Sequence, residues 1–573
     1  MTIQSLSGAV TATEISSFVT FMRAQTPPTT NTYDNTFADG TAGMEVEAMG
    51  MMYEVTNDPV LLTNMIFYAD AILSLRNDLT SSANGGQRVM WDGNIDPVWL
   101  TYPASSSDAG YAGCENNDIV GHIAYCAKLI LETPSLWNTT VPDGNPHGYG
   151  VTYYERATNY IGQLEYSEAN YFNKYFVSSS NYQIVAPTSS AWTAFGESVN
   201  AWNRQMMFLN GWQRLSECHQ LLGDNSSNVT YYNEIVQASV NWFFNASTSG
   251  LSAYTTNGYP VYDWEYAPLS GGNEDMSLHA DYDMWGLNRA YLDGIYTNLS
   301  ESMMSPFGNT LQYVIYQGNN TFADYVIGGS ANGTRNYIYP AWTLVADFDP
   351  ANYFITANVN IAQGSQADTA IFDAFILWVK NARYNGAFAN NTNAADYTLS
   401  TPWKQTIFSG SNFTCAVTLN PLSGFTNTVA LSASHLPEGV TASFNPISIT
   451  HGAGSSTLTL AVANSTAGGI YALTNDMVIS GTSSIGVRTV PLTLVVKPHP
   501  AIVGVSLTGT NSSISGTNGF AGATFYLLGS TNASLPLSQW TTMATNAFGT
   551  NGNFSVTNKI SASPADRFFL IRY

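Results

Sequence analysis

Across residues 44–384 apolar side chains recur every three to four positions in long stretches, the period of helices that bury one face. Residues 44–55 and 59–75 predict a helical hairpin that turns at Thr56, Asn57 and Asp58, with Asp58 placed to cap the second helix. Further helices are predicted over 118–131, 149–176, 201–222, 231–244, 278–292, 302–316 and 369–382. The loops between them are rich in Gly, Asn, Trp and Tyr. Paired helices with the unusual residues confined to loops suit an all-α toroid of helical hairpins, (α/α)n, whose inner helices and loops build a central groove.

Near Ser400 the period changes from three or four to two. Segments 426–432, 457–462 and 488–496 alternate in Val, Thr and Leu, as half-buried strands do. Turn signals recur at the spacing of a β-sandwich, and a shorter β-rich tail follows Pro498-His499-Pro500. The reading is multidomain: a toroid over 1–400, a sandwich over 401–498 and a small β-rich module over 499–573. A length of 573 residues fits this, at about 150 residues per domain.

Eighteen Lys and Arg against 40 Asp and Glu give a net charge of -22, which opposes nucleic-acid binding. An acidic sugar polymer is not excluded, because a local cluster of Arg, His and Asn suffices to bind it. A surface of Tyr, Asn, Ser and Thr, with few Lys and Glu, points to a secreted or cell-surface bacterial protein. No apolar run reaches 18 residues, so no membrane insertion is expected. The N-terminus carries no basic segment followed by an apolar one, so any secretion signal is expected to be removed or never present. The N-x-S/T sequons matter only in a eukaryotic host. Four cysteines are too few for a disulfide framework; Cys114 and Cys126 could pair in an oxidising compartment, the alternative being buried thiols.

The densest chemistry lies in residues 262–289, where six carboxylates, a histidine, three tyrosines and two tryptophans surround Gly271-Gly272. Aromatic faces stack on sugar rings while carboxylates and imidazole move protons. Within it His279 follows Glu274 and Asp275, and Asp283 lies one helical turn beyond, where a carboxylate can fix the imidazole tautomer. Acidic capping of a helix N-terminus accounts equally for Glu274 and Asp275. In Thr334–Trp342, Arg335 stands beside Tyr337 and Tyr339; an arginine there can hold a carboxylate and lower a phenol's pKa, or merely stack on a ring. Asn203, Arg204 and Gln205 open a long apolar helix. Segments 91–99 and 114–122 offer Trp91, Trp99, Asp92, Asp96, Glu115, Asn117, Asp118 and His122 as groove lining, any two carboxylates of which could serve a glycosidase. His122 alone reads as a packed helix residue. Phosphate-loop, zincin, dinucleotide and serine-elbow motifs are absent, and neither a cofactor nor a resident metal is implied.

Two resemblances extend this reading. Residues 424–446 resemble the immunoglobulin-like repeats appended to secreted bacterial enzymes, which implies a spacer or binding module able to attach the protein to a cell surface or matrix. The order of Asn203 and Gln205, Trp264-Glu265-Tyr266, Glu274-Asp275, His279-Ala280, then Arg335 and its tyrosines resembles secreted helical-toroid polysaccharide lyases, which include alginate and glucuronan lyases. That resemblance implies β-elimination on a uronic-acid polymer. Asn203 and Arg335 would bind the uronate carboxylate, His279 would neutralise it or take the C5 proton, and Tyr339 would act as base and then acid. The Arg-to-Tyr spacing is shorter than the family's, so Tyr337 stays open for that role. Gln205, Trp264, Tyr266, Glu274, Asp275, Tyr282, Trp91, Trp99 and Asn117 would line the polysaccharide groove. Two further readings remain: a glycoside hydrolase that uses an Asp/Glu pair on the same toroid, and a non-catalytic glycan-binding or surface protein working through its β modules.

Overall fold

The computed structural model describes residues 3, 10–80, 87–101, 109–113, 115–194, 201–272, 278–297, 299–329, 334–349, 351–363, 369–382, 396–401, 404–422, 425–464, 469–471, 477–497, 499–508, 511–519, 524–549, 552–559 and 568–572. The first part is helical: α1 (Ala12–Ala24), α2 (Thr41–Thr56), α3 (Pro59–Ser74), α4 (Glu115–Leu131), α5 (Tyr153–Ser167), α6 (Asn173–Phe176), α7 (Ser190–Thr193), α8 (Trp202–Leu222), α9 (Ser226–Phe243), α10 (Ala246–Ser249), α11 (Leu278–Asp293), α12 (Glu301–Thr310), α13 (Ala351–Gln363) and α14 (Thr369–Ala382). Local chemistry sets the ends. Asn57 closes α2 in the left-handed region, and the Asp58 side chain accepts from the Val60 amide with Pro59 as first residue of α3. Capping boxes of Thr11 with Glu14 and Thr152 with Glu155 start α1 and α5.

The helix predicted over 149–176 is interrupted. After α5 comes a π turn, Glu168–Phe172, and then α6. The helix predicted over 302–316 likewise ends in a π turn, Leu311–Ile315. A 3₁₀ helix, Pro340–Asp347, α1, α13 and the hairpin of Ser252–Thr256 with Tyr259–Asp263 have no counterpart in the predicted elements.

Every residue of α4 and nearly every residue of α8 is buried, so these helices are surrounded instead of lying on a surface. Helix α2 packs on α4, α4 on α8, α8 on α11, α11 on the 3₁₀ helix 340–347, that helix on α14, and α14 on α2. Helices α3, α5, α9 and α13 each pack on one or more of these. The α4–α8 contact is close because each helix offers a glycine to an asparagine of the other. A Cβ on Gly121 would lie 2.2 Å from Asn210 Cγ, and one on Gly211 would lie 2.7 Å from Asn117 Cγ. One continuous core runs from Phe18 to Val379.

From Asp396 the described elements are strands, apart from a 3₁₀ turn at Leu537–Gln539. A four-stranded antiparallel sheet (396–400, 412–422, 454–462, 440–445) and a mixed sheet built on Met477–Ser483 and Gly486–Lys497 contribute alternate residues to a second core between Tyr397 and Val496. Within the mixed sheet, Lys404–Phe408 runs parallel to 493–497. Two three-stranded sheets between Ala501 and Arg572 enclose a third core around Phe525, Phe548 and Phe554.

Of the two alternatives read for Cys126, a bridge to Cys114 or a buried thiol, the structure has a buried free thiol in α4. Cys114 lies outside the described residues. Among the described residues no helix is long and apolar enough to cross a membrane.

Candidate functional site

The chain gathers the starts of several helices at one end of the core. Asp39 sits just ahead of Gly40, the N-cap of α2, and is half-buried. Glu115 and Asp118 occupy the first turn of α4, and Tyr282 opens the second turn of α11. Burial first, then the charges of Glu115 and Asp118, raise the Asp39 carboxyl to about 7, so it is half-protonated near neutrality. Glu115 Oε1 lies 3.5 Å from the Arg204 guanidinium of α8. Gly113 permits the turn into α4: a Cβ there would come within 2.6 Å of Glu115 Oε2 and 2.8 Å of the Tyr111 hydroxyl. The Tyr282 hydroxyl is buried without a partner, and burial followed by the charges of Asp39 and Asp118 keeps it a neutral phenol.

Beneath these groups lies a buried ion cluster. His122 Nδ1 is 2.8 Å from Glu47 Oε1, while Nε2 is 2.9 Å from the Ala38 carbonyl and 3.3 Å from Asp118 Oδ2. Acceptors at both ring nitrogens hold the imidazolium form. Burial opposes this, but Asp118 and Glu47 outweigh it and raise the pKa to about 10. Burial likewise works against the Glu47 carboxylate, and His122, with Arg214 and Arg289, overcomes it. Asp118 Oδ1 accepts from Asn210 Nδ2 at 2.7 Å, which ties the cluster to α8.

Of the groups read from the sequence, some meet at this end. The Trp202 amide donates to the Tyr266 carbonyl at 3.0 Å, drawing that loop onto the start of α8, and the Tyr266 ring lies 4.8 Å from His279. Asn203 stands one residue into α8, with Oδ1 buried and unpartnered. Tyr339 caps the 3₁₀ helix and its ring lies 6.1 Å from Phe372 of α14. Glu274 and Asp275 lie outside the described residues.

Other groups are committed elsewhere. Arg335 Nε is 2.6 Å from Asp324 Oδ1, Nη1 donates to the Tyr337 hydroxyl, and the backbone pairs with Phe322. Gln205 is fully buried and accepts from Ser239 of α9. Trp99 donates to the Ile72 carbonyl at 2.6 Å, and Asn117 to the Phe208 carbonyl at 2.7 Å. Trp264 donates to Asp283 Oδ2 at 2.8 Å, giving that carboxylate a structural partner. Trp99, Trp264 and Gln205 are packing groups because these polar atoms are spent inside the core, and the wholly buried Asn117 packs there too, with its Oδ1 left without a hydrogen-bond partner among the described residues. Asp281 holds the amides of Ala341 and Trp342, at 2.7 and 3.3 Å, and so anchors the 3₁₀ helix. Trp91 is half-buried, bonds the Tyr171 hydroxyl at 3.0 Å and meets Tyr175 and Trp192 edge-on. Beside it burial and then Asp92 raise the Asp96 carboxyl to about 7.

Sequence reasoning passed over Asp39 and left Arg204 outside the site. The only local signal for Asp39 was its place before Gly40 at the head of an apolar stretch. Among the described residues no group of three His, Cys, Asp or Glu side chains is disposed to hold a metal ion.

No protein-family model and no curated protein matches the chain. Solved structures that overlap part of it include domains 4 and 5 of the S-layer protein SbsC (21% identity, 17% of this chain and 51% of that one, TM-score 0.13), titin domains I67–I69 in an E-to-A variant (8%, 31% and 63%, 0.19) and the D0-D1 domain of intimin (15%, 31% and 91%, 0.14). The chain thus spans about half of the SbsC fragment. Overlaps this slight carry no inference about fold or activity.

Proposed function

We propose that residues 1–400 are a toroid of helical hairpins, with α2, α4, α8, α11, the 3₁₀ helix and α14 as its inner wall, and that the protein is an extracellular carbohydrate-active enzyme cleaving glycosidic bonds at the mouth of that wall. The observation that carries this reading is Asp39, a half-buried carboxyl raised to about 7 beside Glu115 and Asp118. A carboxyl held protonated near neutrality can give its proton to a leaving glycosidic oxygen. A second carboxylate then activates water or attacks the sugar. Glu115, facing Arg204, suits that second role better than Asp118, whose oxygens already face Asn210 and His122. Hydrolysis is therefore favoured over the elimination implied by resemblance, because Arg335 is held by Asp324.

Elimination on a uronate polymer is the second reading, favoured by Arg204. Its guanidinium, with a side chain 22% exposed beside Glu115, could neutralise a uronate carboxylate, with His279 at the start of α11 and Tyr339 at the start of the 3₁₀ helix as the groups to move the proton. The β-rich parts, with an immunoglobulin-like sandwich over 401–498, would space or attach the enzyme at a surface.

The test is incubation with neutral glucans, xylans and mannans and with uronate polymers, following both new reducing ends and absorbance near 235 nm. Reducing ends without absorbance, lost in Asp39→Asn, support hydrolysis. Absorbance that survives Asp39→Asn but not Tyr339→Phe supports elimination. Neither signal on any polymer sinks the enzymatic reading.

A further inference from the structure

Toward the C-terminal ends of α2, α4, α8 and α11 these helices border a small pocket lined by Glu54, Lys128, Arg214, Glu217, Arg289 and Asp293 among other residues. Arg289 is only 8% exposed, yet its Nε and Nη1 meet no acceptor. Arg214 Nε has none either. The two guanidiniums repel: burial, then Arg214, push the Arg289 pKa below its ordinary value, against the pull of Glu47, Asp118 and Glu217.

The cavity's own carboxyls are engaged elsewhere. Glu217 Oε2 lies 3.1 Å from both Lys128 Nζ and Arg214 Nη1. Glu54 accepts from the Tyr125 hydroxyl at 2.8 Å and the Trp378 indole at 2.6 Å. Asp293 accepts from Gln213 at 2.5 Å and shares a hydrogen bond with Glu217, and burial with that neighbour raises its pKa well above the ordinary carboxylate value. No carboxylate among the described residues lies within ion-pair reach of Arg289. A buried guanidinium without a counter-charge is costly, and the cheapest remedy is an anion from solution.

We propose that this cavity is an anion site, in which a halide or a single carboxylate group binds against the Arg289 guanidinium on the side shared with Arg214. The aromatic wall, with Trp285 5.9 Å from the Arg289 head, excludes bulk water and strengthens the attraction. The site lies at the opposite ends of the inner helices from Asp39 and does not depend on the catalytic reading.

The test uses the full chain in a dilute zwitterionic buffer whose sodium is balanced by a bulky morpholine sulfonate. Sodium chloride, acetate and glucuronate are titrated separately at constant sodium while the melting temperature is followed. A saturable rise of several degrees is expected with at least one anion, as for any ligand that binds only the folded state. A rise with chloride alone assigns a halide; a rise with acetate or glucuronate assigns a carboxylate. Arg289→Met should lose the rise and, in the anion-free buffer, melt no lower than wild type. No saturable rise with any of the three, or an equal rise in Arg289→Met, overturns the site. Should that variant not fold, calorimetric titration of wild type with the same salts decides: heat that saturates at one anion per chain upholds the site, and no saturable heat refutes it.

Discussion

His122 Nδ1 of α4 lies 2.8 Å from Glu47 Oε1 of α2, with both side chains almost wholly buried. The two helices are thus joined by a charged hydrogen bond in a setting where either group alone would be strongly penalised. His122→Asn or Glu47→Gln is expected to cost about 3–5 kcal/mol, the range for breaking a buried pair by removing one partner. Urea denaturation of the single and double variants measures this, and a double-mutant cycle with no coupling would refute it.

The same pair sets a pH dependence. The His122 pKa is raised in the fold from 6.5 to about 10, so its stabilisation is whole below 6.5 and is lost as pH rises through the raised value. The Glu47 pKa is depressed from 4.5, so its share is present above 4.5 and fades as pH falls below it. Wild type should therefore lose stability from pH 7 to pH 10 more steeply than His122→Asn. Equal slopes in denaturation midpoint against pH would exclude the imidazolium.

Asp39 must be protonated to donate a proton, so kcat/KM on a cleaved polymer is expected to fall as pH rises through about 7. Asp39→Asn should reduce turnover by roughly 10²–10⁴-fold, the usual contribution of a general acid. It should leave the melting temperature near that of wild type, since Asp39 is only half-buried. A variant that keeps its activity, or a flat profile above pH 7, argues against this role.

Gly121 and Gly211 let α4 and α8 approach each other's asparagines. Gly121→Ala places a methyl group where Asn210 now sits, and overpacking of this kind costs about 1–3 kcal/mol. Gly162, on α5, has open space at the same position, so Gly162→Ala serves as control and should be neutral or slightly stabilising. Thermal melts of the two variants separate packing from helix propensity.

Arg335 and Asp324 form an ion pair in which Asp324 is buried and Arg335 partly exposed. Arg335→Met is expected to lower the melting temperature while leaving kcat on a cleaved substrate within about twofold, because the arginine already has a carboxylate partner. A large loss of kcat at unchanged stability would return Arg335 to the elimination mechanism.

Much of the secondary structure was legible because its causes are local. Asp58 followed by Pro59 predicts a helix start from two residues, and α14 coincides with the stretch predicted for it. The switch from helical to alternating period near Ser400 marks where one core gives way to the next. The π turn at Glu168–Phe172 was not legible, since apolar spacing alone does not show where one extra residue enters a helix.

The candidate site was far less legible. Trp99, Trp264 and Asn117 have the residue types of a sugar-binding groove, but their N–H donors are spent on Ile72, Asp283 and Phe208 inside the core. A side chain's type does not reveal which face of a fully surrounded helix it occupies. By itself the sequence determined most of the long helices, a few of the strands and the region where the chain changes from one to the other, because backbone hydrogen bonding and side-chain period act over a few residues. Only the tertiary structure decided that Asp39, Glu115, Asp118 and Tyr282 share one end of the helical core. It also raised the Asp39 pKa to about 7, because burial and the charges of Glu115 and Asp118, far along the chain, act on that carboxyl.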